Sequence, residues 1–134
     1  MNVRKILPAE IYEYWDDIAS LLGQAIPYAN GDYSLEQVKL YLTTGAWLLV
    51  AGFEENKMIC ATSISFINMP NDRIAFITLI GGKKAIEKSN FEQLKSILKE
   101  HKATKIQGGA RPSVARLWKR LDFQERYILV EKKI

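Results

Sequence analysis

The sequence predicts an α+β fold with a central mixed, mostly antiparallel sheet flanked by about four helices. Two observations support this prediction. Apolar residues recur at helical spacing in four segments, and six other segments are rich in apolar, β-branched and aromatic residues. Their order along the chain is a strand, two helices, three strands, and then helix, strand, helix and strand. This order is not that of a doubly wound parallel sheet. We expect residues 1–134 to form a single domain.

The first half of the chain carries clear boundary signals for two helices. Leu7-Pro8 opens the first helix, which we expect to end near Gly23. The segment Ala25–Tyr33 contains a proline, an Asn-Gly pair and two tyrosines, which are typical of a loop. Ser34-x-x-Gln37 is a capping box for a second, short helix, and Gly45 is its expected C-terminal cap.

The middle of the chain predicts three successive antiparallel strands. They cover Trp47–Phe53, Met58–Asn68 and Arg73–Ile80. Polar turn residues separate them, at 54–57 and at 69–72. We therefore expect a meander of three strands.

The last third alternates helices and strands. Gly81–Lys84 ends the third meander strand, and Ser89-x-x-Glu92 is a second capping box that we expect to open a helix. A strand follows at Lys105–Gln107, then a glycine turn and a helix that begins at Pro112. The mixed run Gln124–Lys132 is predicted as the last strand.

Composition excludes several classes of protein. The single cysteine, Cys60, cannot form an internal disulfide and is most simply a small buried hydrophobic residue. Nothing at the N-terminus resembles a signal peptide, and no apolar stretch approaches the roughly 20 residues that a membrane helix needs. With one histidine, one cysteine and no carboxylates clustered at ligand spacing, we expect no metal site. We expect a cytoplasmic protein that does not bind membranes.

Charge is distributed unevenly along the chain. Residues 1–80 contain five basic and nine acidic residues, a net charge of −4, whereas residues 81–134 contain fourteen and six, a net charge of +8. The basic helix near the C-terminus follows a glycine turn, where free backbone N–H groups could bind a phosphate. Two interpretations stay open: the charges are solvated helix surfaces, or the second half binds a polyanion.

The order of elements, with a glycine-bearing junction from strand to helix, resembles the GNAT family of acyl-CoA-dependent N-acyltransferases. The resemblance is strongest from Arg73 to Phe123. It implies that acetyl-CoA, the acyl donor, lies where two strands separate, with its pyrophosphate on the loop Gly81–Ser89. An amine would be the acceptor. The implied cofactor-binding residues are Leu79, Ile80, Gly81, Gly82, Lys83, Lys84, Arg111 and Trp118.

Two motifs of that family are altered in this sequence. In many members the pattern Asn-x-x-Ala-x-x-x-Tyr-x-x-x-Gly-Phe carries a tyrosine that protonates the thiolate of CoA. Reading back from Phe123, that position is Trp118, whose indole N–H does not usefully ionise. The other motif, Arg/Gln-x-x-Gly-x-Gly/Ala, corresponds to Ile86–Phe91 and is absent.

The predicted strand Arg73–Ile80 contains no acid, so it supplies no carboxylate base for the amine. The resemblance places the loop with Asp32 and Tyr33 over the acceptor side, and Tyr127 in the last strand could reach the cleft as a hydroxyl. A turn aspartate and packing tyrosines explain the same residues equally well.

Three functions are compatible with these patterns. The first is an N-acetyltransferase that uses acetyl-CoA and an unidentified amine. The second is a GNAT-fold protein without catalysis that acts as a virion or host-interaction component. For this reading, the loop Tyr28–Asp32 and the tripeptide Gly109-Ala110-Arg111 resemble short GNAT-like proteins of tailed bacteriophages. Such a protein would lie in the host cytoplasm or the virion, and it could form a homo-oligomer or bind a phage or host protein. The third is nucleic-acid binding, which we do not favour because no recognised DNA- or RNA-binding motif is present.

Overall fold

A computed structural model describes residues 1–134 as five strands and four α-helices. The strands are β1 (Asn2–Ile6), β2 (Leu48–Glu54), β3 (Lys57–Asn68), β4 (Arg73–Gly82) and β5 (Lys105–Gly108). The helices are α1 (Ile11–Gly23), α2 (Leu35–Thr43), α3 (Lys88–Glu100) and α4 (Pro112–Trp118). Short 3-10 turns at Pro8–Glu10, Ile26–Tyr28 and Lys119–Leu121 complete the list.

The five strands form one mixed sheet in the order β1-β2-β3-β4-β5. β1, β2, β3 and β4 pair antiparallel with one another, and short turns join β2 to β3 and β3 to β4. β5 lies parallel to β4, since α3 carries the chain back across the sheet. The predicted α+β fold with a mixed, mostly antiparallel sheet is confirmed.

Each face of the sheet is covered by one pair of helices. α1 and α2 pack on one face around residues that are almost wholly buried, including Ile18, Leu22, Val38, Leu42, Leu49, Ala61 and Leu79. α3 and α4 pack on the other face, and the buried residues there include Val50, Ile64, Ala75, Ile77, Phe91, Leu94, Leu98 and Trp118. No helix in the structure combines the length and the hydropathy needed to cross a membrane.

Local sequence signals explain most of the element boundaries. The Ser34 hydroxyl accepts a hydrogen bond from the Gln37 N–H at 3.3 Å, and the Gln37 side chain accepts one from the Ser34 N–H at 3.0 Å. Gly45, just after α2, has φ +79°, a conformation that suits glycine. Glu55 and Asn56 both have positive φ and form the two-residue turn between β2 and β3. The predicted capping box, C-terminal cap and hairpin are confirmed.

The start of α3 differs from the prediction. The helix begins at Lys88 after Glu87, so Ser89 lies inside its first turn and caps nothing. The buried amide of Asn90 fastens this end instead, because it donates to the Lys84 carbonyl at 2.9 Å. The capping box predicted at Ser89 is therefore wrong: a side chain farther along the helix binds the preceding loop.

The predicted last strand is also wrong. Residues 124–132 have no regular secondary structure, and none of their backbone groups is hydrogen-bonded to another backbone group. Tyr127, predicted to lie in this strand, is 72% exposed. Apolar and β-branched residues favour a strand only where a neighbouring strand offers partners, and this segment has none in its own chain.

Candidate functional site

β4 separates from β5 halfway along its length. Their parallel pairing runs from Ile74 with Lys105 to Ile77 with Gly108, where β5 ends. β4 continues for five more residues and pairs only with β3. From Thr78 to Gly82, its side away from β3 therefore has no neighbouring strand.

A β-bulge at Thr78 lies where the two strands part. Ile64 of β3 pairs with Ile77 and Ser63 pairs with Leu79, so Thr78 is an extra residue in β4. Its hydroxyl lies 2.6 Å from the Ser63 hydroxyl and donates to the Ser63 carbonyl at 3.0 Å. Bulges bend a strand and increase its twist, which turns the second half of β4 away from β5.

Apolar side chains line a small cavity beside this separation. Its volume is about 10 Å³, the space of a single water. The lining residues are Ile77, Ile80, Ile86, Phe91, Trp118, Leu121 and Phe123. The Trp118 indole lies over Gly108, where a Cβ would approach the ring to 2.7 Å. The Trp118 and Phe123 rings are 5.1 Å apart, so the C-terminal end of α4 closes this side of the cavity.

Two glycines allow the second half of β4 to approach other backbones closely. A Cβ on Gly81 would clash with the Leu21 carbonyl near the end of α1. Gly82 has φ +100°, and a Cβ there would clash with the Ile59 carbonyl of β3. The predicted backbone contacts to a cofactor at these glycines stay a prediction, and the packing of α1 and β3 explains why glycine is required.

The two lysines predicted to bind phosphate, Lys83 and Lys84, differ in their side-chain contacts. Lys84 has φ +63°, and its ammonium donates to both carboxylate oxygens of Glu54, the shorter bond being 2.7 Å. This bond raises the pKa of Lys84 and lowers the pKa of Glu54. Lys83 has an exposed side chain, while its N–H donates to the Ile59 carbonyl at 2.9 Å.

Arg111 lies at the start of α4 and contacts the loop after α1. Its guanidinium carbon is 3.7 Å from the centroid of the Tyr28 ring. The Arg111 guanidinium beside the Tyr28 side chain lowers the pKa of Tyr28. Arg111 therefore connects α4 with the turn Ile26–Tyr28.

The predicted acid–base candidates lie in two places: Asp32 and Tyr33 before α2, and Tyr127 in the C-terminal segment. Asp32 is exposed in the loop before α2, and its N–H donates to the Ala29 carbonyl at 3.0 Å. Tyr33 is half-buried with its ring edge-on to Trp47 at 5.0 Å, and burial raises its pKa. Tyr127 projects from the C-terminal segment. Nowhere in the structure do three or more His, Cys, Asp or Glu residues form a group that could hold a metal ion.

Three residues of this region carried little signal in the sequence. Thr78 was detectable only as the one polar residue in an apolar run. Ile86 and Phe123 line the cavity, although the sequence indicated Phe123 only as the end of a family motif and Ile86 only as the start of an altered one. The contact of Tyr28 with Arg111 joins positions 83 residues apart, and no local pattern indicates it.

No protein-family model matches the sequence, and no curated protein matches it. Solved structures do match. A predicted acetyltransferase from Clostridium acetobutylicum, determined with acetyl-CoA, has a TM-score of 0.69 at 18% identity, over 98% of this chain and 95% of that one. A ribosomal-protein-alanine N-acetyltransferase from Brucella melitensis biovar Abortus has a TM-score of 0.71 at 13% identity, over the whole of both chains.

The fold is that of the GNAT acetyltransferases. A third match is an aminoglycoside acetyltransferase from an uncultured soil sample, in complex with sisomicin. Its TM-score is 0.70 at 11% identity, over 99% of this chain and 95% of that one. At such identities the likeness concerns the arrangement of the GNAT fold, while function depends on the residues at the site.

Proposed function

We propose that this protein is an acetyl-CoA-dependent N-acetyltransferase that acts on an amine. The observation that carries the proposal is the separation of β4 from β5 at Thr78, beside an apolar cavity, in a fold shared with acetyltransferases. A structure with this fold contains acetyl-CoA. Unpaired backbone groups and apolar walls suit a thioester carbonyl and its aliphatic arm.

Different residues beside the separation would contact the thioester and the phosphates of acetyl-CoA. The backbone N–H group of Leu79 or of Ile80, whichever points away from β3, would stabilise the oxyanion that forms on the thioester carbonyl. Lys83 has a free ammonium for the phosphates, whereas Lys84 would have to exchange its bond with Glu54. Because the cavity holds only about one water, Trp118 or Phe123 would have to move as the ligand enters.

The reaction needs an uncharged amine and a proton for the leaving thiolate. The amine nitrogen would form a bond to the acetyl carbon, the carbon–sulfur bond would break, and the amine proton would pass to water. Trp118 cannot supply the thiolate proton, so it would come from solvent or from a tyrosine. Burial raises the pKa of Tyr33, which makes its hydroxyl a weaker proton donor than an exposed tyrosine.

Titration calorimetry with acetyl-CoA tests the proposal directly. We expect saturable binding of one acetyl-CoA per chain. Lys83→Glu should weaken binding at least tenfold, since it reverses a charge beside the phosphates. Lys99→Glu is the matched control, because it makes the same charge change on an exposed position of α3 and should change affinity little. Absence of binding at millimolar acetyl-CoA would contradict the proposal.

A second candidate is a GNAT-fold protein without catalysis that serves as a virion or host-interaction component. The burial of Trp118, only 6% exposed, favours it because a catalytic hydroxyl is missing at that position. Assays for release of CoA with a panel of amines separate the two candidates. Acetyl-CoA binding without turnover on any amine would support the second. We propose that residues 1–134 act as one domain, in the cytoplasm for the first candidate and in the host cytoplasm or the virion for the second.

A further inference from the structure

A carboxylate at the end of β2 holds the Lys84 ammonium away from the separation of β4 and β5. Glu54 is the last residue of β2, and its two carboxylate oxygens accept hydrogen bonds from this ammonium at 2.7 and 3.2 Å. In the sheet, β2 and β5 lie on opposite sides of β4. The contact therefore draws the Lys84 side chain past the end of β3 toward β2, whereas the separation opens on the β5 side.

The backbone around Lys84 is held by contacts that do not involve this ion pair. The Lys83 N–H donates to the Ile59 carbonyl of β3 at 2.9 Å. The Lys84 carbonyl accepts hydrogen bonds from the buried Asn90 amide at 2.9 Å and from the Glu87 N–H at 3.2 Å. These bonds fasten the loop after β4 to β3 and to the start of α3. Breaking the ion pair therefore releases the flexible lysine side chain and leaves the loop in place.

The ion pair is weak enough for an anionic ligand to displace. The Lys84 and Glu54 side chains are 49% and 34% exposed, so water and dissolved anions reach both groups. Ion pairs with this exposure change an equilibrium by a factor of about five or less. The phosphates of acetyl-CoA carry several negative charges, and an ammonium pairs more strongly with them than with a single carboxylate. A phosphate that reaches the loop therefore competes successfully with Glu54 for this ammonium.

We propose that Glu54 is an internal competitor for the phosphates of acetyl-CoA. In the free protein its carboxylate holds the Lys84 ammonium toward β2, and the phosphates of the bound ligand take its place. Glu54 therefore lowers the affinity for acetyl-CoA, although it belongs to β2, two strands away from β4. This inference rests on the proposed function, because it concerns the same ligand at the same loop.

Titration calorimetry with acetyl-CoA on Glu54→Gln tests the competition. The substitution keeps the shape of the side chain and removes its charge, so the variant should bind acetyl-CoA about two- to fivefold more tightly than the wild-type protein. Glu55→Gln is the matched control, because it removes the same charge from the next residue of the same turn. Glu55 is exposed and forms no ion pair, so its substitution should change affinity little.

A double-mutant cycle separates release of Lys84 from a general loss of negative charge. Lys84→Gln should weaken binding at least twofold, since it removes the ammonium for which the two anions compete. In the Lys84→Gln background, Glu54→Gln should leave the affinity unchanged. An equal gain of affinity in both backgrounds would overturn the inference, because Glu54 would then act only by repelling the ligand. Urea unfolding confirms that each variant is folded under the conditions of the titration.

The wild-type titration distinguishes failure of this inference from failure of the proposed function. If the wild-type protein binds acetyl-CoA and Glu54→Gln binds it no more tightly, the competition is absent and the proposed function stands. If the wild-type protein does not bind millimolar acetyl-CoA, both are overturned. A gain of affinity that occurs in Glu54→Gln, is absent from Glu55→Gln and disappears with Lys84→Gln supports the competition.

Discussion

The two halves of β4 belong to one strand and have different surroundings. Arg73–Ile77 is paired on both sides, by β3 and by β5, whereas Thr78–Gly82 is paired on one side only. The first half is held by a regular ladder, and the second by a bulge, two glycines and close contacts with neighbouring backbones. The candidate site therefore lies where strand pairing stops, and it does not depend on a cluster of chemically reactive side chains.

Removing the Trp118 indole, which lies where β4 and β5 separate, should lower the stability of the protein most. Trp118→Ala deletes a buried ring between Gly108 and the cavity, and we expect a loss of about 3–5 kcal/mol in the free energy of unfolding. Denaturant unfolding measures it. Leu117→Ala, one residue away and 40% exposed, is the control and should cost much less. Equal losses for the two variants would mean that the indole does not fill this space.

A methyl group in the second half of β4 should disturb the packing of α1. Gly81→Ala forces a Cβ against the Leu21 carbonyl, and we expect a loss of about 1–3 kcal/mol. Gly109→Ala is the matched control, because a Cβ there meets nothing within 4 Å and φ is not positive. Thermal unfolding of both variants is the measurement. Unchanged stability of Gly81→Ala would contradict the close approach of α1 to β4.

The contact between the Thr78 and Ser63 hydroxyls at the bulge should contribute less to stability than these two packing contacts. Thr78→Val keeps the shape of the side chain but leaves the fully buried Ser63 hydroxyl without a partner, at a cost of about 1–2 kcal/mol. A double-mutant cycle with Ser63→Ala measures the coupling. We expect the double variant to be more stable than the sum of the two losses predicts. Strict additivity would show that the hydroxyls do not interact.

The smallest expected effect is a pH dependence of stability at His101, which contacts the first half of β4. The Arg73 Nε donates to the His101 carbonyl at 2.9 Å, and the imidazole stacks on Phe66. Burial, followed by the charges of Lys5 and Arg73, holds the pKa of His101 below its ordinary value of 6.5. The unfolded chain then binds a proton more readily than the folded protein, so stability falls as the pH drops from 7 through the lowered pKa.

His101→Gln is the variant that checks this pH dependence. Urea unfolding between pH 7 and pH 5 should show a flatter profile for the variant than for the wild-type protein, since no other histidine is present. Parallel profiles would assign the pH dependence to the carboxylates.

Much of the fold was predictable because its signals are local. The Ser34 capping box, the glycine after α2 and the two-residue turn at Glu55 and Asn56 each depend on neighbouring residues. The bulge at Thr78 was not predictable, because it depends on how β4 aligns with β3. The strand predicted at 124–132 is absent for a related reason: its composition favours a strand, but a strand also needs backbone partners, and residues 124–132 have none.

The candidate site was predictable only as a region. The resemblance indicated the strands that separate and the loop Gly81–Ser89. The ion pair of Lys84 with Glu54 and the contact of Arg111 with Tyr28 join segments that are distant in sequence. The charge pattern of the sequence shows where Lys and Arg residues are frequent, but it does not show which of them pair with other residues of the chain.

The extra residue in β4 also bears on how this architecture could arise. Before the bulge Ile77 faces α3 and α4, and after it Leu79 faces α1 and α2. Deleting Thr78 would keep both side chains on the faces they now occupy, because ordinary alternation would follow directly from Ile77 to Leu79. A single codon therefore separates a strand that bends from one that runs straight. Inserting this one residue bends β4 without moving Ile77 or Leu79 to the other face of the sheet.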